Sequence, residues 1–327
     1  MAMNSAPASL TKRCPQCGTL WGQEGKPVPS FCLDCLFPLL VVGGRYVMER
    51  RIPSGGFGVV YLAQDLKCER QVVVKTLRTE LYDQDEWELR FQREIRVTAL
   101  LSEKNKHVVA LLQHGREKGL GFYYVMEHLD GVSLTALLKR NEPLSFSDSF
   151  HIFHQLCEAL EHAHTHDVVH RDLKPDNILL VKEEGDPLFV KILDFGIAKV
   201  MRGTAHPNLT QNPVGTPLYM APEQFMGLPI DRRTDVYISG LLLYELLTRS
   251  QPFASQENSM RKQIRLHCVE PPIPIRERCP TANFPQGLED SVLRALAKKP
   301  EARYQSMEEF WQAIEPFVSL PGSVLPA

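Results

Sequence analysis

Two cysteine pairs, Cys14-Pro15-Gln16-Cys17 and Cys32-Leu33-Asp34-Cys35, stand 14 residues apart near the start of the chain. Thiolates at that spacing suit the four corners of a tetrahedral metal site, with zinc the favoured ion and iron able to take the same ligands. Gly18 directly after Cys17 fits the tight turn of such a knuckle. The other cysteines, Cys68, Cys157, Cys268 and Cys279, are scattered singly, which is not how a disulfide-stapled secreted protein distributes them. A second set of residues offers charge and oxygen. Lys75 closes the apolar run Val72-Val73-Val74, where an ammonium is costly unless an anion meets it. Glu94, in a stretch of helical periodicity, is its natural partner. Asp172 and Asn177 place a carboxylate and an amide five positions apart in one loop, and Asp194 follows the strand pattern Val190-Lys191-Ile192-Leu193.

The segment Ile52-Pro53-Ser54-Gly55-Gly56-Phe57-Gly58-Val59-Val60-Tyr61 adds a glycine-rich turn, where a backbone without Cβ atoms can approach phosphate oxygens closely. Its flanks narrow the choice. A dinucleotide fold needs a helix after the turn, whereas Val59–Leu62 reads as strand, and no GxxxxGKS or GxxxxGKT occurs. Then, in order, come Lys75, Glu94, His170-Arg171-Asp172-Leu173-Lys174-Pro175-Asp176-Asn177, Asp194-Phe195-Gly196 and Gly215-Thr216-Pro217-Leu218-Tyr219-Met220-Ala221-Pro222-Glu223. Together these motifs resemble those of the protein kinases, most closely the bacterial eukaryotic-like (Hanks-type) serine/threonine kinases, over residues 45–318. The cysteine segment before them is similar to zinc ribbons and to rubredoxin.

The resemblance implies an α+β, bilobal protein-kinase fold, with a strand-rich N-lobe and a helical C-lobe preceded by a small metal-binding ribbon. It implies ATP with Mg²⁺ or Mn²⁺ as cofactors, and transfer to serine and threonine hydroxyls of protein substrates. Lys75, held by Glu94, would grip the nucleotide phosphates. Asn177 and Asp194 would hold Mg²⁺, a hard cation that prefers such oxygens. Asp172 would orient the substrate hydroxyl and accept its proton, while Lys174 would neutralise charge at the transferred group. Ile52, Gly55, Gly58 and Val60 would form the lid and its strands, Met126 the gatekeeper position, and the backbone of Glu127 and Leu129 the adenine contact. Arg171 would face a phosphorylated activation segment, with Thr204 and Thr210 as acceptors in trans during a transient self-association; Thr216 would support the catalytic loop. Glu223 and Arg303 would form a buried ion pair, and Asp235 would hold the catalytic loop from below, with His170 positioning that loop. His162, His164 and His166 read as packing or surface residues. Pro53 departs from the pattern, standing where the lid has its first glycine, fixing φ and removing an N–H. It raises the alternative of a pseudokinase scaffold that binds nucleotide or partners without efficient transfer.

The elements needed to position these residues are legible as patterns. Short β-branched runs dominate from Tyr46 to Leu129, with Trp87, Phe91, Ile95 and Thr98 at helical spacing between them. After Asp130-Gly131 helices take over: Phe150, Phe153, Cys157, Leu160 and His164 trace one face, with Ser147 the expected N-cap, and Ile238–Thr248 reads as a buried helix. Two final helices are expected at Glu289–Lys298 and Ser306–Val318. The expected organisation is a tail at 1–11, a ribbon at 12–42, a kinase domain at 45–318 divided into lobes at 45–129 and 130–318, and a tail at 319–327. The apolar stretch Leu36-Phe37-Pro38-Leu39-Leu40 predicts that the ribbon packs on the strand-rich lobe. Among the 327 residues 43% are hydrophobic and 23% charged, and the formal net charge is −2, which supplies no field to draw nucleic acid or an anionic membrane. No apolar run approaches the roughly 20 residues needed to span a bilayer, and the N-terminus lacks a secretory signal pattern, so a cytoplasmic protein is expected.

Overall fold

A computed structural model describes residues 12–21, 31–35, 37–39, 41–53, 58–78, 85–140, 144–195, 218–253, 259–280 and 282–318. Gly55, Thr204, Thr210 and Thr216 lie outside the described residues. The chain divides into two compact units, Met1–Ile95 with Ala110–His128, and Arg96–Val109 with Leu129–Ala327.

The first unit is built on an antiparallel sheet of order β3-β4-β5-β6-β8-β7. Its strands are β3 (Val41–Val42), β4 (Tyr46–Ile52), β5 (Gly58–Asp65), β6 (Arg70–Leu77), β7 (Leu111–Glu117) and β8 (Gly121–Glu127). The central strands carry the β-branched and aromatic residues that fit a pleated, buried surface: Val72 and Val74 of β6 and Val125 of β8 are inaccessible to solvent. Helix α1 (Asp85–Ser102), whose residues up to Ile95 belong to this unit, buries Phe91, Ile95 and Thr98 along the expected stripe. Ahead of the sheet, β1 (Lys12–Arg13) and β2 (Leu20–Trp21) form a short antiparallel pair. The ribbon does pack on the strands, because Phe37 and Leu39 are buried in one cluster with Tyr46, Tyr61 and Val74, and the Phe37 ring meets Tyr61 edge-on at 5.6 Å. The sheet itself begins at Val41, four residues before the expected start of the kinase domain: Val41 and Val42 pair with Val47 and Tyr46 across a Gly43-Gly44 turn. Both glycines have positive φ, +57° and +63°, which is why this hairpin takes glycine twice.

The second unit is mainly helical, with a small sheet of order β11-β10-β9, formed by β9 (Gly131–Ser133), β10 (Ile178–Glu183) and β11 (Asp186–Ile192). Its helices are α2 (Leu134–Leu138), α3 (Phe146–Thr165), α4 (Pro222–Met226), α5 (Arg232–Thr248), α6 (Met260–Cys268), α7 (Ile275–Arg278), α8 (Gln286–Ala295) and α9 (Met307–Ile314). Helix α3 starts earlier than expected: Ser145, not Ser147, is the N-cap and accepts from the Asp148 amide at 3.0 Å. The earlier start lets Phe146 enter the core as a helical residue. Helix α8 begins directly after Pro285, which offers no N–H to lose at a helix start. Helix α9 stops at Ile314 because Pro316 cannot donate to the α-helical ladder, and the chain tightens into a 3-10 turn, Glu315–Phe317. Helix α5 is buried nearly all round; a Cβ on Gly240 would meet Ala295 Cβ at 3.0 Å, so this glycine sets how closely α5 and the end of α8 approach. No helix among the described residues is long and apolar enough to cross a membrane.

Candidate functional site

The candidate site residues fall into one group in each unit. In the first, Lys75 lies near the end of β6 and Glu94 on α1, and their side chains meet at 2.6 Å with both residues almost wholly buried. The cross-strand register aligns Val60 of β5, Lys75 of β6 and Tyr124 of β8 in one row, so their side chains stand on one face of the sheet. Tyr124 donates its hydroxyl to Glu94 Oε1 at 2.5 Å, a contact that motif spacing does not announce. Gly58 also serves the lysine. A Cβ there would lie 2.8 Å from Lys75 Cε and 3.3 Å from the Thr76 carbonyl oxygen, so this glycine provides space for the lysine stem. Ile52 pairs with Val60 across β4 and β5, and exposed Pro53 follows the end of β4. Met126 is buried on β8, and the Glu127 carboxylate accepts from the Ala110 amide at 2.8 Å.

In the second unit the loop between α3 and β10 is held by a buried aspartate. Asp235, in the first turn of α5 and inaccessible to solvent, accepts from the amides of His170 at 2.8 Å and Arg171 at 3.1 Å, and from His164 Nε2 at 2.8 Å. Burial alone would push the Asp235 carboxyl up, but His164 and the amide donors hold it below the usual range. His164 was expected only to pack; it is instead a buried polar partner of the loop's anchor. Arg171 adopts φ +66°, unfavourable for a side-chain-bearing residue, and its carbonyl accepts from Gln224 Nε2 at 2.7 Å, a second hold that sequence reasoning missed. His170 is buried against the Phe195 ring at 4.7 Å, its Nδ1 accepts from the Asp172 amide at 3.4 Å, and burial lowers its pKa.

That scaffold carries the candidate residues of the second unit. Lys174 Nζ lies 3.6 Å from Asp172 Oδ2, and Asn177 donates its amide to the Asp172 carbonyl at 2.9 Å. The Leu193 amide bonds the Asn177 carbonyl at 2.8 Å, tying the end of β11 to the same loop beside Asp194. Asp194 has φ +31°, a second strained position at the site. Leu129 is half-buried just before β9. Below the loop, Arg303 makes a two-pronged contact with Glu223 at 2.8 and 2.9 Å, and Thr234 donates to the same carboxylate at 2.6 Å.

The four ribbon cysteines converge: all four Sγ atoms lie within 4.8 Å of one another, with 3.5 Å between Cys14 and Cys35 and between Cys17 and Cys32. These separations are too long for S–S bonds of about 2.05 Å. They suit a tetrahedron of Zn–S bonds of about 2.3 Å, whose edges are about 3.8 Å. The donor set is prepared unevenly. Thr19 bridges Asp34 at 2.6 Å and Cys17 Sγ at 3.2 Å, and its hydrogen bonding draws the Cys17 thiol down to about 6, whereas burial pushes Cys35 up to about 12. Four sulfurs this close, two of them in buried cysteines, fit a thiolate-binding metal ion.

Fold and loop geometry together define a protein kinase, and comparison with known proteins agrees. The family model described as “Protein kinase domain” matches residues 46–313, and the chain belongs to that family. Its relatives include the serine/threonine-protein kinases Pkn1 of Myxococcus xanthus, 39% identical over 83% of this chain, and PknB of Mycolicibacterium smegmatis, 37% identical over 81%. The chain spans 38% and 41% of those two proteins' own lengths. Among solved structures, the kinase domain of Mycobacterium tuberculosis PknI is similar over 86% of this chain and 98% of its own, with a TM-score of 0.64 at 24% identity.

Proposed function

We propose that this chain transfers the γ-phosphoryl group of ATP to serine and threonine hydroxyls of protein substrates. The observation that carries this reading is the buried Lys75–Glu94 pair at 2.6 Å. A lysine this deep in a sheet is costly unless it has an anionic task, and its fixed partner leaves it poised to neutralise phosphate. In the other unit Asp172 accepts the proton of the attacking hydroxyl as the new O–P bond forms and the bond to the leaving ADP oxygen breaks. Lys174 offsets charge on the transferred group, and Asn177 and Asp194 supply oxygens for Mg²⁺ or Mn²⁺. When bound, that cation neutralises charge spread over the phosphate oxygens. We place the protein in the cytoplasm, where ATP and reduced thiols are both supplied. Incubation with γ-labelled ATP, Mg²⁺ and a generic acceptor protein tests the reading. Nucleotide binding with no transfer would favour the scaffold alternative that Pro53 raises.

The ribbon's metal is proposed to be zinc. About one equivalent per chain is expected from zinc-replete expression, lost in a Cys14→Ser/Cys17→Ser variant, as read by elemental analysis. Because Cys14 and Cys32 share a core with the sheet strands, metal loss is also expected to lower the melting temperature of the full chain. Iron in stoichiometric amount, or no metal, would contradict the assignment.

Autophosphorylation in trans is proposed at Thr210 before Thr204, through transient self-association, with the phosphate drawn to Arg171. A phosphate brings about −1.5 to −2 charge and would order the segment through charge-assisted bonds. Mass spectrometry and activity before and after phosphatase treatment decide it: a lag after treatment is expected, and full initial speed would exclude loop phosphorylation as the switch.

A further inference from the structure

We infer that Tyr124 is a positioning residue for phosphoryl transfer, its hydroxyl clamping Glu94 onto Lys75; this rests on the kinase reading above. Glu94 Oε1 receives both the Lys75 ammonium at 2.6 Å and the Tyr124 hydroxyl at 2.5 Å. An ionised carboxylate only accepts, so the tyrosine is the donor, and hydrogen bonds to a charged partner are about twice as strong as neutral ones. The three groups are placed by register. Lys75 and Tyr124 are direct cross-strand partners on β6 and β8, and a slip of one residue would send the hydroxyl to the opposite face.

Tyr124 also holds α1 at two points. Its ring lies 5.4 Å from that of Phe91 while its hydroxyl takes Glu94, and residues three apart share a helix face. This fixes the rotation of the helix about its axis as well as its distance from the sheet. The Lys75 ammonium lies 5.8 Å from the same ring centroid, so one side chain touches every member of the pair.

The chemical consequence concerns charge. In a buried lysine–glutamate pair the proton can pass from ammonium to carboxylate, which leaves a neutral amine with little hold on phosphate. A hydroxyl that donates to the carboxylate favours its ionised form, and thereby keeps the lysine protonated. A phenylalanine would fill the same volume and keep the contact with Phe91. The hydroxyl is therefore the part that acts on the nucleotide-gripping lysine.

The test compares the full-length wild-type chain with Tyr124→Phe, in the native background and with Glu94→Gln, measuring ATP dissociation constant, KM for ATP, kcat and melting temperature. Loss of a hydrogen bond to a charged group predicts about a tenfold rise in both ATP constants for Tyr124→Phe, with a smaller change in kcat. In the Glu94→Gln background the same substitution is expected to change them less than about twofold, because its route of action is gone. An ATP affinity within about twofold of wild type, or an equal loss in both backgrounds, would overturn the clamp and leave Tyr124 a packing residue. Should the wild-type chain bind ATP without transferring phosphate, the kinase reading fails while the dissociation constants still decide the clamp. A wild-type chain that binds no ATP overturns both.

Discussion

An Asp194→Ala chain is expected to transfer no γ-phosphoryl at a detectable rate while keeping its fold. On the proposed assignment the aspartate would contribute a charged oxygen for the cation, and phosphoryl transfer has little else to accelerate it than position and charge neutralisation. Its backbone is held without that side chain: the neighbouring Phe195 is buried against His170, and the Leu193 amide is tied to Asn177. Alanine at φ +31° inherits strain that the aspartate already carries, so the change in stability is expected to be small. Lys75→Ala is expected to be equally silent, since the β6 backbone ladder does not depend on the ammonium. Asp172→Asn would remove only the proposed proton acceptor, and its expected cost is on the order of 10²–10⁴-fold. Single-turnover label transfer beside thermal melts checks the set; near-normal turnover by the Asp194 variant would refute the site assignment.

The second large effect is on stability. Glu223→Ala is expected to lower the unfolding free energy by about 3–5 kcal/mol, the range for stranding a buried charge. Arg303 is 1% exposed, and its N–H groups are all engaged, by Glu223 and by the carbonyls of Ala297, Arg233 and Lys298. Neutral carbonyls cannot replace the lost carboxylate charge. Burial pushes the Glu223 carboxyl up, but the Arg303 bonds prevail and hold it below the usual range. With the folded value below the unfolded one, the pair's contribution is complete above about pH 4.3 and fades as pH falls through the folded value. Denaturant titration at neutral pH measures the loss, and a change under about 1 kcal/mol would show that the pair does not hold the activation segment's end to the helices. Replacing Arg303 and Glu223 together by apolar residues is expected to cost less than removing Glu223 alone.

What spacing made legible were residues whose chemistry is unusual for their place. A lysine ending an apolar strand requires an anion, and Glu94 is that anion. The spacing of the cysteine pairs favoured a metal site over disulfides or free thiols, and their sulfurs converge. The supporting residues were less visible because their types are ordinary. Tyr124 looks like any aromatic residue of a buried strand, yet a buried hydroxyl needs a partner, and that rule is the signal that would have singled it out. Gln224 and His164 bond across 53 and 71 positions of sequence, a separation that no local pattern carries. Helix existence was readable from periodicity, but ends were set by particular contacts: Ser145 caps α3 so that Phe146 can be buried, and Pro316 ends the α-helical run of α9. The ribbon's attachment was readable only in part. Phe37 and Leu39 announced the packing, whereas the pairing of Val41 and Val42 with β4 needed the hairpin geometry of the two glycines.

The most direct measurement is transfer of label from γ-labelled ATP, with Mg²⁺, to a generic acceptor by the wild-type chain and by Asp194→Ala in parallel, followed by phosphoamino-acid analysis. The expected result is phosphoserine and phosphothreonine from the wild-type chain alone. No label from a folded, metal-loaded wild-type chain, or equal label from both proteins, would contradict the assignment of this chain as a serine/threonine kinase working through Asp194.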